Sequence, residues 1–63
     1  MDEKTAALHL TSLTLCDKLI NELRSCEEEA HTFFGGELCR VYENATEQAI
    51  DKTQSIRRKL QTL

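Results

Sequence analysis

The sequence predicts an all-α protein, an antiparallel two-helix hairpin with coiled-coil-like packing that completes a bundle by self-association or with a partner. Three observations carry that prediction. Apolar residues recur every three or four positions through both halves of the chain. The only two glycines, Gly35 and Gly36, stand together near the middle, and there is no proline. The segments on either side of the glycines are of nearly equal length, as an antiparallel hairpin requires.

The first helix is expected from about Thr5 to Phe34. Cys16, Leu19, Leu23, Cys26, Ala30 and Phe33 follow one another at alternating spacings of three and four or close to it. This row is the expected hairpin seam. A second row runs beside it through Ala6, Leu13, Ile20 and Phe34, and Leu8 and Leu15 widen the stripe toward the N-terminus. Such a face is broader than one neighbouring helix can cover. Asp2 or Thr5 can cap the N-terminus, where an acceptor oxygen and negative charge are both favourable. Glu27, Glu28 and Glu29 lie near the other end, where only His31 has the favourable sign.

The turn is expected at residues 35–36. A glycine after a helix supplies the left-handed conformation that stops it, and Gly36 can then be the N-cap of the next helix. Both glycines inside one continuous rod would cost about 1 kcal/mol each relative to alanine.

The second helix is expected from about Glu37 to Leu63. Leu38, Val41, Tyr42, Ala45, Ala49, Ile56, Leu60 and Leu63 mark its apolar face, and Lys52 and Thr53 weaken the seam midway. Leu38, Ala45, Ala49, Ile56 and Leu60 are its expected seam positions. Glu37 at the start and Arg57, Arg58 and Lys59 near the end suit the helix dipole. Folding about the glycine pair should set Leu15 near Ile56, Cys26 near Ala45, and Leu23 near Gln48 and Ala49. Two helices facing each other bury only one stripe apiece. Leu8, Leu13, Leu15, Ile20, Phe33 and Phe34 are therefore the surface expected to meet a partner.

Composition bounds the function. At 63 residues, a chain is marginal alone and draws on association, metal, disulfides or very regular helix packing. The net charge is −3, which disfavours nucleic acid as a partner because phosphate binding needs clustered Lys and Arg. Residues 1–36 hold seven acids against Lys4, Lys18 and Arg24, whereas residues 37–63 hold four acids against five bases. Opposite balances on antiparallel helices attract mildly. The start of the chain is acidic and interrupted by His9 and Thr11, unlike a signal peptide, and no run is long enough to span a bilayer. The expected setting is cytoplasmic, with no membrane partner.

No catalytic constellation emerges. His9 and His31 are too far apart on one helix to share a site, and neither completes a metal spacing with the cysteines. Cys16, Cys26 and Cys39 form no CxxC pair and read as small apolar residues in a reducing compartment. Cys39 and His31 bracket the turn, so that pair can meet, but a catalytic pair also needs an orienting group and a pocket. The expectation is a non-enzymatic protein–protein interaction module without cofactor or small-molecule substrate. The alternatives are a coiled-coil structural or adaptor subunit, or a small inhibitor of a regulator.

The run "GGELCRVYENATEQAI" places a tyrosine soon after a glycine turn and then a small-residue and isoleucine stretch. In this, and in length and acidity, the chain resembles the small helical-hairpin co-chaperones of type III secretion needle subunits. The resemblance implies a hairpin that joins a helical-repeat chaperone and helps keep a needle protein unassembled in the cytoplasm. It implies Tyr42 as an interface residue.

Overall fold

The computed structural model describes residues 2–62. It consists of two helices, α1 (Glu3–Phe33) and α2 (Gly36–Gln61), packed along their length as an antiparallel hairpin. The Cα atoms extend over 50 × 15 × 9 Å, with a radius of gyration of 15.0 Å. A compact chain of this length would have a radius of about 11 Å, so the molecule is a flat bar two helices wide and one deep. Among the described residues, no helix is long and apolar enough to cross a membrane. Leu63, expected to end the second helix, lies outside the described residues.

Both helix starts have local causes. Asp2, in extended conformation, accepts the Thr5 N–H at 2.7 Å through Oδ1 and so satisfies one of the donors left free at a helix N-terminus. This bond holds the Asp2 carboxyl below its ordinary value, because hydrogen bonding favours the charged form. The turn differs from expectation in detail. α1 is stopped by Phe34, whose φ of −117° and ψ of 145° are extended, not by a left-handed glycine. Gly35 is the N-cap of α2, also extended, and Gly36 carries the positive φ of 61°. The two glycines therefore exchange the roles expected of them. Two extended residues reverse the chain, and the left-handed residue re-aims it into α2.

Two cross-helix side-chain contacts reach beyond turn-centred pairing, whereas Cys39 and His31 meet close to it. Asp17 bonds Arg57 where turn-centred pairing would give Gln54, and Glu27 meets Thr46 where it would give Asn44. The offset of about two to three residues at these two contacts follows from side-chain direction. Each helical side chain leans toward its own N-terminus and covers surface about one position back. In an antiparallel pair the two leans add.

The closed seam also differs from expectation, by a rotation of each helix. On α1 the residues turned inward are His9, Leu13, Cys16, Ile20, Leu23, Glu27 and Ala30; on α2 they are Cys39, Glu43, Thr46, Ile50, Thr53, Arg57 and Leu60. Each set alternates three and four apart, the a and d positions of a heptad. Ile20, Ala30, Ile50, Thr46 and Thr53 are buried. Of the expected seam, Cys16, Leu23, Ala49 and Leu60 are half-buried, but Leu19, Cys26, Leu38, Ala45 and Ile56 are exposed. Leu13 and Ile20, expected on the outer, partner-facing row, close the hairpin instead.

The rotated arrangement carries a set of polar contacts. It allows Arg57 Nε to donate to Asp17 Oδ1 at 2.6 Å and Nη2 to Oδ2 at 3.4 Å. It sets His31 Nε2 3.5 Å from Glu43 Oε2. It also places two threonines inward, each with its hydroxyl satisfied on its own helix. Thr53 Oγ1 donates to the Ala49 carbonyl at 2.8 Å. Thr46 Oγ1 lies 2.9 Å from the Tyr42 carbonyl, 3.0 Å from that of Glu43 and 3.4 Å from Glu27 Oε2. A threonine bonded this way turns its methyl to the seam.

Candidate functional site

Rotating both helices leaves the richest apolar rows outside, on one side of the bar. In heptad terms Leu19, Cys26 and Phe33 hold the g positions of α1, and Tyr42, Ala49 and Ile56 those of α2. In an antiparallel pair the two g rows flank the same side of the seam and the two e rows the other. The structure bears this out at the closed end, where Cys26, Phe33, Phe34 and Tyr42 line one shallow groove with Ala30 between them. The next row outward, the c positions, adds Leu8 and Leu15 on α1 and Leu38 and Ala45 on α2. Leu8 is 68% exposed, Leu15 58%, Phe33 76% and Ile56 52%. Leu19, Leu38 and Tyr42 are exposed as well.

Phe34 and Tyr42 stack with ring centroids 5.0 Å apart and an interplanar angle of 27°. The pair ties the turn to the first coil of α2, at a gain of about 0.5–1.5 kcal/mol beyond area burial. Phe33 takes no part in the stack and is 76% exposed, against 38% for Phe34. The rim of the apolar side is charged asymmetrically. Glu22 and Glu29 hold c positions on α1, whereas Lys52 and Lys59 hold c positions on α2, and all four are exposed.

The opposite side is polar apart from Leu10 near the start of α1. Asp17, Arg24 and His31 run along α1, and Arg40, Glu47 and Gln54 along α2. The Asp17–Arg57 pair sits at this edge with side chains 55% and 31% exposed. Nearer the turn, Cys39 Sγ lies 3.3 Å from His31 Nδ1. Fold geometry thus joins a cysteine and a histidine separated by the turn, and Glu43 supplies the neighbouring carboxylate. His9 lies far along α1 and takes no part.

The residues foreseen as partner-facing therefore divide. Leu8, Leu15, Phe33, Phe34 and Tyr42 are exposed on or beside the apolar side, while Leu13 and Ile20 belong to the seam. They are joined there by Leu19, Cys26, Leu38, Ala45 and Ile56. Ile50, Thr46 and Thr53 carry the hidden surface of α2; their shared signal is a run of β-branched residues spaced four and three apart. Comparison of the chain with protein-family models, with curated proteins and with solved structures finds no match.

Proposed function

We propose that the chain is a non-enzymatic helical interaction module that lays its apolar side against the helices of another polypeptide to complete a bundle. The observation that supports this reading is the inverted distribution of apolar residues. Among the described residues, the buried apolar ones are Ile20, Ala30 and Ile50, whereas eight large apolar side chains stay exposed on or beside the apolar side and Leu10 and Val41 are exposed elsewhere. Each large aliphatic or aromatic side chain left in water forgoes about 1.5–3 kcal/mol. A lone hairpin with this distribution gives up more apolar burial than it gains. The broad side of the bar, 50 × 15 Å between Cα atoms and wider with its side chains, is of the order of the roughly 800 Å² that each partner contributes to a standard interface.

A second copy of the chain matches one pair of rim charges. A two-fold axis along the bar sets α1 of one copy on α2 of the other and keeps each residue's height, so Glu22 comes level with Lys52, while Glu29 and Lys59 come level with Ala45 and Leu15. A co-chaperone role, in which a helical-repeat chaperone covers the same side and touches Tyr42, is the heteromeric form of this reading. Sedimentation equilibrium with Leu19→Asp and Ile56→Asp tests it. The wild type should associate, or bind a partner co-purified from its native cell, and both variants should lose that association while remaining helical. Association unchanged by either substitution would refute this side as the interface.

A further inference from the structure

At the closed end, three different kinds of metal-binding group converge from the two helices. His31 comes from the last turn of α1, and Cys39 and Glu43 from successive turns of α2, four residues apart on one face. One donor atom from each lies within 4.8 Å of the other two. Sγ of Cys39 is 3.3 Å from His31 Nδ1, and Glu43 Oε2 is 3.5 Å from Nε2 of the same ring. Donors bound to one tetrahedral zinc at about 2.0–2.3 Å stand roughly 3.3–3.8 Å apart; the thiol and the carboxylate now face different nitrogens of the ring, so the His31 ring must turn to present one nitrogen to an ion held between Cys39 and Glu43. His31 and Glu43 are free to move, with side chains 53% and 36% exposed. Two further carboxylates adjoin the set. Glu27 and Glu47 place carboxylate oxygens within 4.8 Å of each other and of Glu43. Like charges this close repel, and a cation on the adjoining set relieves that repulsion. Sulfur, nitrogen and oxygen donors together suit a borderline-soft ion, not magnesium or calcium.

We propose that His31, Cys39 and Glu43 form a three-residue zinc-class site that clamps the closed end of the hairpin, with water completing the fourth position. On binding, the Cys39 S–H ionises, its proton passes to solvent, and the thiolate displaces a water from the ion. The imidazole displaces another through a neutral ring nitrogen and the Glu43 carboxylate a third, and two more waters leave as the six-coordinate aqua ion becomes tetrahedral with one water retained. No electron is transferred. Because the ligands come from both helices, binding favours the folded hairpin over the open chain. The site lies on the polar side of the bar, away from the apolar surface, so it remains accessible when that surface is covered.

The test is titration of the full chain, under a non-chelating reductant, with cobalt(II) as the spectroscopic probe and zinc(II) as competitor. The expected result is one ion per chain, a thiolate-to-cobalt charge-transfer band with tetrahedral d–d bands, displacement of cobalt by zinc, and a melting temperature that rises with zinc. Cys39→Ser should abolish the charge-transfer band. His31→Ala and Glu43→Gln should each weaken cobalt binding by at least about tenfold, the lower range for loss of even an outer-shell partner. The double variant Cys16→Ala/Cys26→Ala should retain both the band and the affinity. Helical circular dichroism identifies the variants that fold. If Cys39→Ser does not fold, Glu43→Gln decides, since its side chain is partly in solvent. No charge-transfer band in the wild type, a band that survives Cys39→Ser, undiminished affinity in Glu43→Gln, or one ion shared by two chains would overturn the proposal.

Discussion

Ile20 and Leu19 are adjacent in sequence and belong to different surfaces, so exchanging each for aspartate separates the closed seam from the open side. Ile20 is 8% exposed and Leu19 46%. Ile20→Asp forfeits nearly the whole transfer free energy of an isoleucine, about 1.5–3 kcal/mol. It must also desolvate or protonate a carboxylate, and each unit by which its pKa rises adds about 1.4 kcal/mol. A total of about 3–4 kcal/mol is a large share of the roughly 3–9 kcal/mol that a chain of this length can have. Leu19→Asp leaves its charge in water and loses about half a leucine's burial, on the order of 1 kcal/mol. The two residues have similar places in helix propensity relative to aspartate, so that contribution nearly cancels in the comparison. Urea denaturation followed by far-ultraviolet circular dichroism, at the lowest concentration where the wild type is helical, reads the difference. Ile20→Asp should abolish most helicity, and Leu19→Asp should shift the midpoint modestly. Equal losses in dilute solution, or a greater loss for Leu19→Asp, would refute the rotation of α1 described above.

Three further predictions concern local features. Thr53→Val should leave stability unchanged or raise it by up to about 1 kcal/mol, since a hydroxyl bonded only to its own helix is replaced by a methyl, whereas Thr46→Val also removes a contact to Glu27 on the other helix and should be the less favourable of the two; the reverse order in thermal melts would contradict these partners. Gly36→Ala should destabilise the hairpin by about 1–2 kcal/mol because of its left-handed backbone, whereas Gly35→Ala, in extended conformation with open space around it, should cost less; equal effects would contradict the turn. The Asp2 cap should stabilise the start of α1 at neutral pH. Because its folded-state pKa is lowered, that contribution is complete above the ordinary value of 3.8 and disappears as pH falls through the lower folded value. Amide exchange or helical circular dichroism in the first turn should therefore lose pH dependence in Asp2→Asn.

Much of the fold is legible in the sequence. Equal arms of three- and four-residue periodicity around Gly35-Gly36 specify the hairpin, and Asp2 marks its first cap. Helix bounds expected at about Thr5–Phe34 and from Glu37 onward agree with Glu3–Phe33 and Gly36–Gln61 to within a turn. The inward face is harder to read. Three apolar rows on α1 all satisfy helical spacing, and periodicity alone ranks them by hydrophobicity, which selects the row through Leu19 and Cys26. The closed seam carries fit and pairing as well. Ala30 and Thr46 are small enough for close approach, and Asp17–Arg57 and His31–Glu43 belong to the rotated arrangement. The most hydrophobic row is then the one left for intermolecular contact. Long side chains such as Asp17 and Arg57 meet two to three positions beyond turn-centred pairing because helical side chains lean toward their own N-terminus, which pairing by residue number ignores. The Cys39–His31–Glu43 group is invisible to linear motif spacing because the turn divides it.

The most direct test of the covered apolar side uses the native cysteines as reporters. Cys26 lies on that side and is exposed, whereas Cys16 is half-buried in the seam. Pulsed alkylation with peptide mapping gives the rate at each cysteine over a dilution series and, separately, with any captured partner. Cys26 should react fast in the dilute hairpin and slow at least about tenfold as association proceeds, with Cys16 slow throughout. A Cys26 rate that stays fast at every concentration and with every partner, while the chain remains helical, would contradict an apolar side built to be covered.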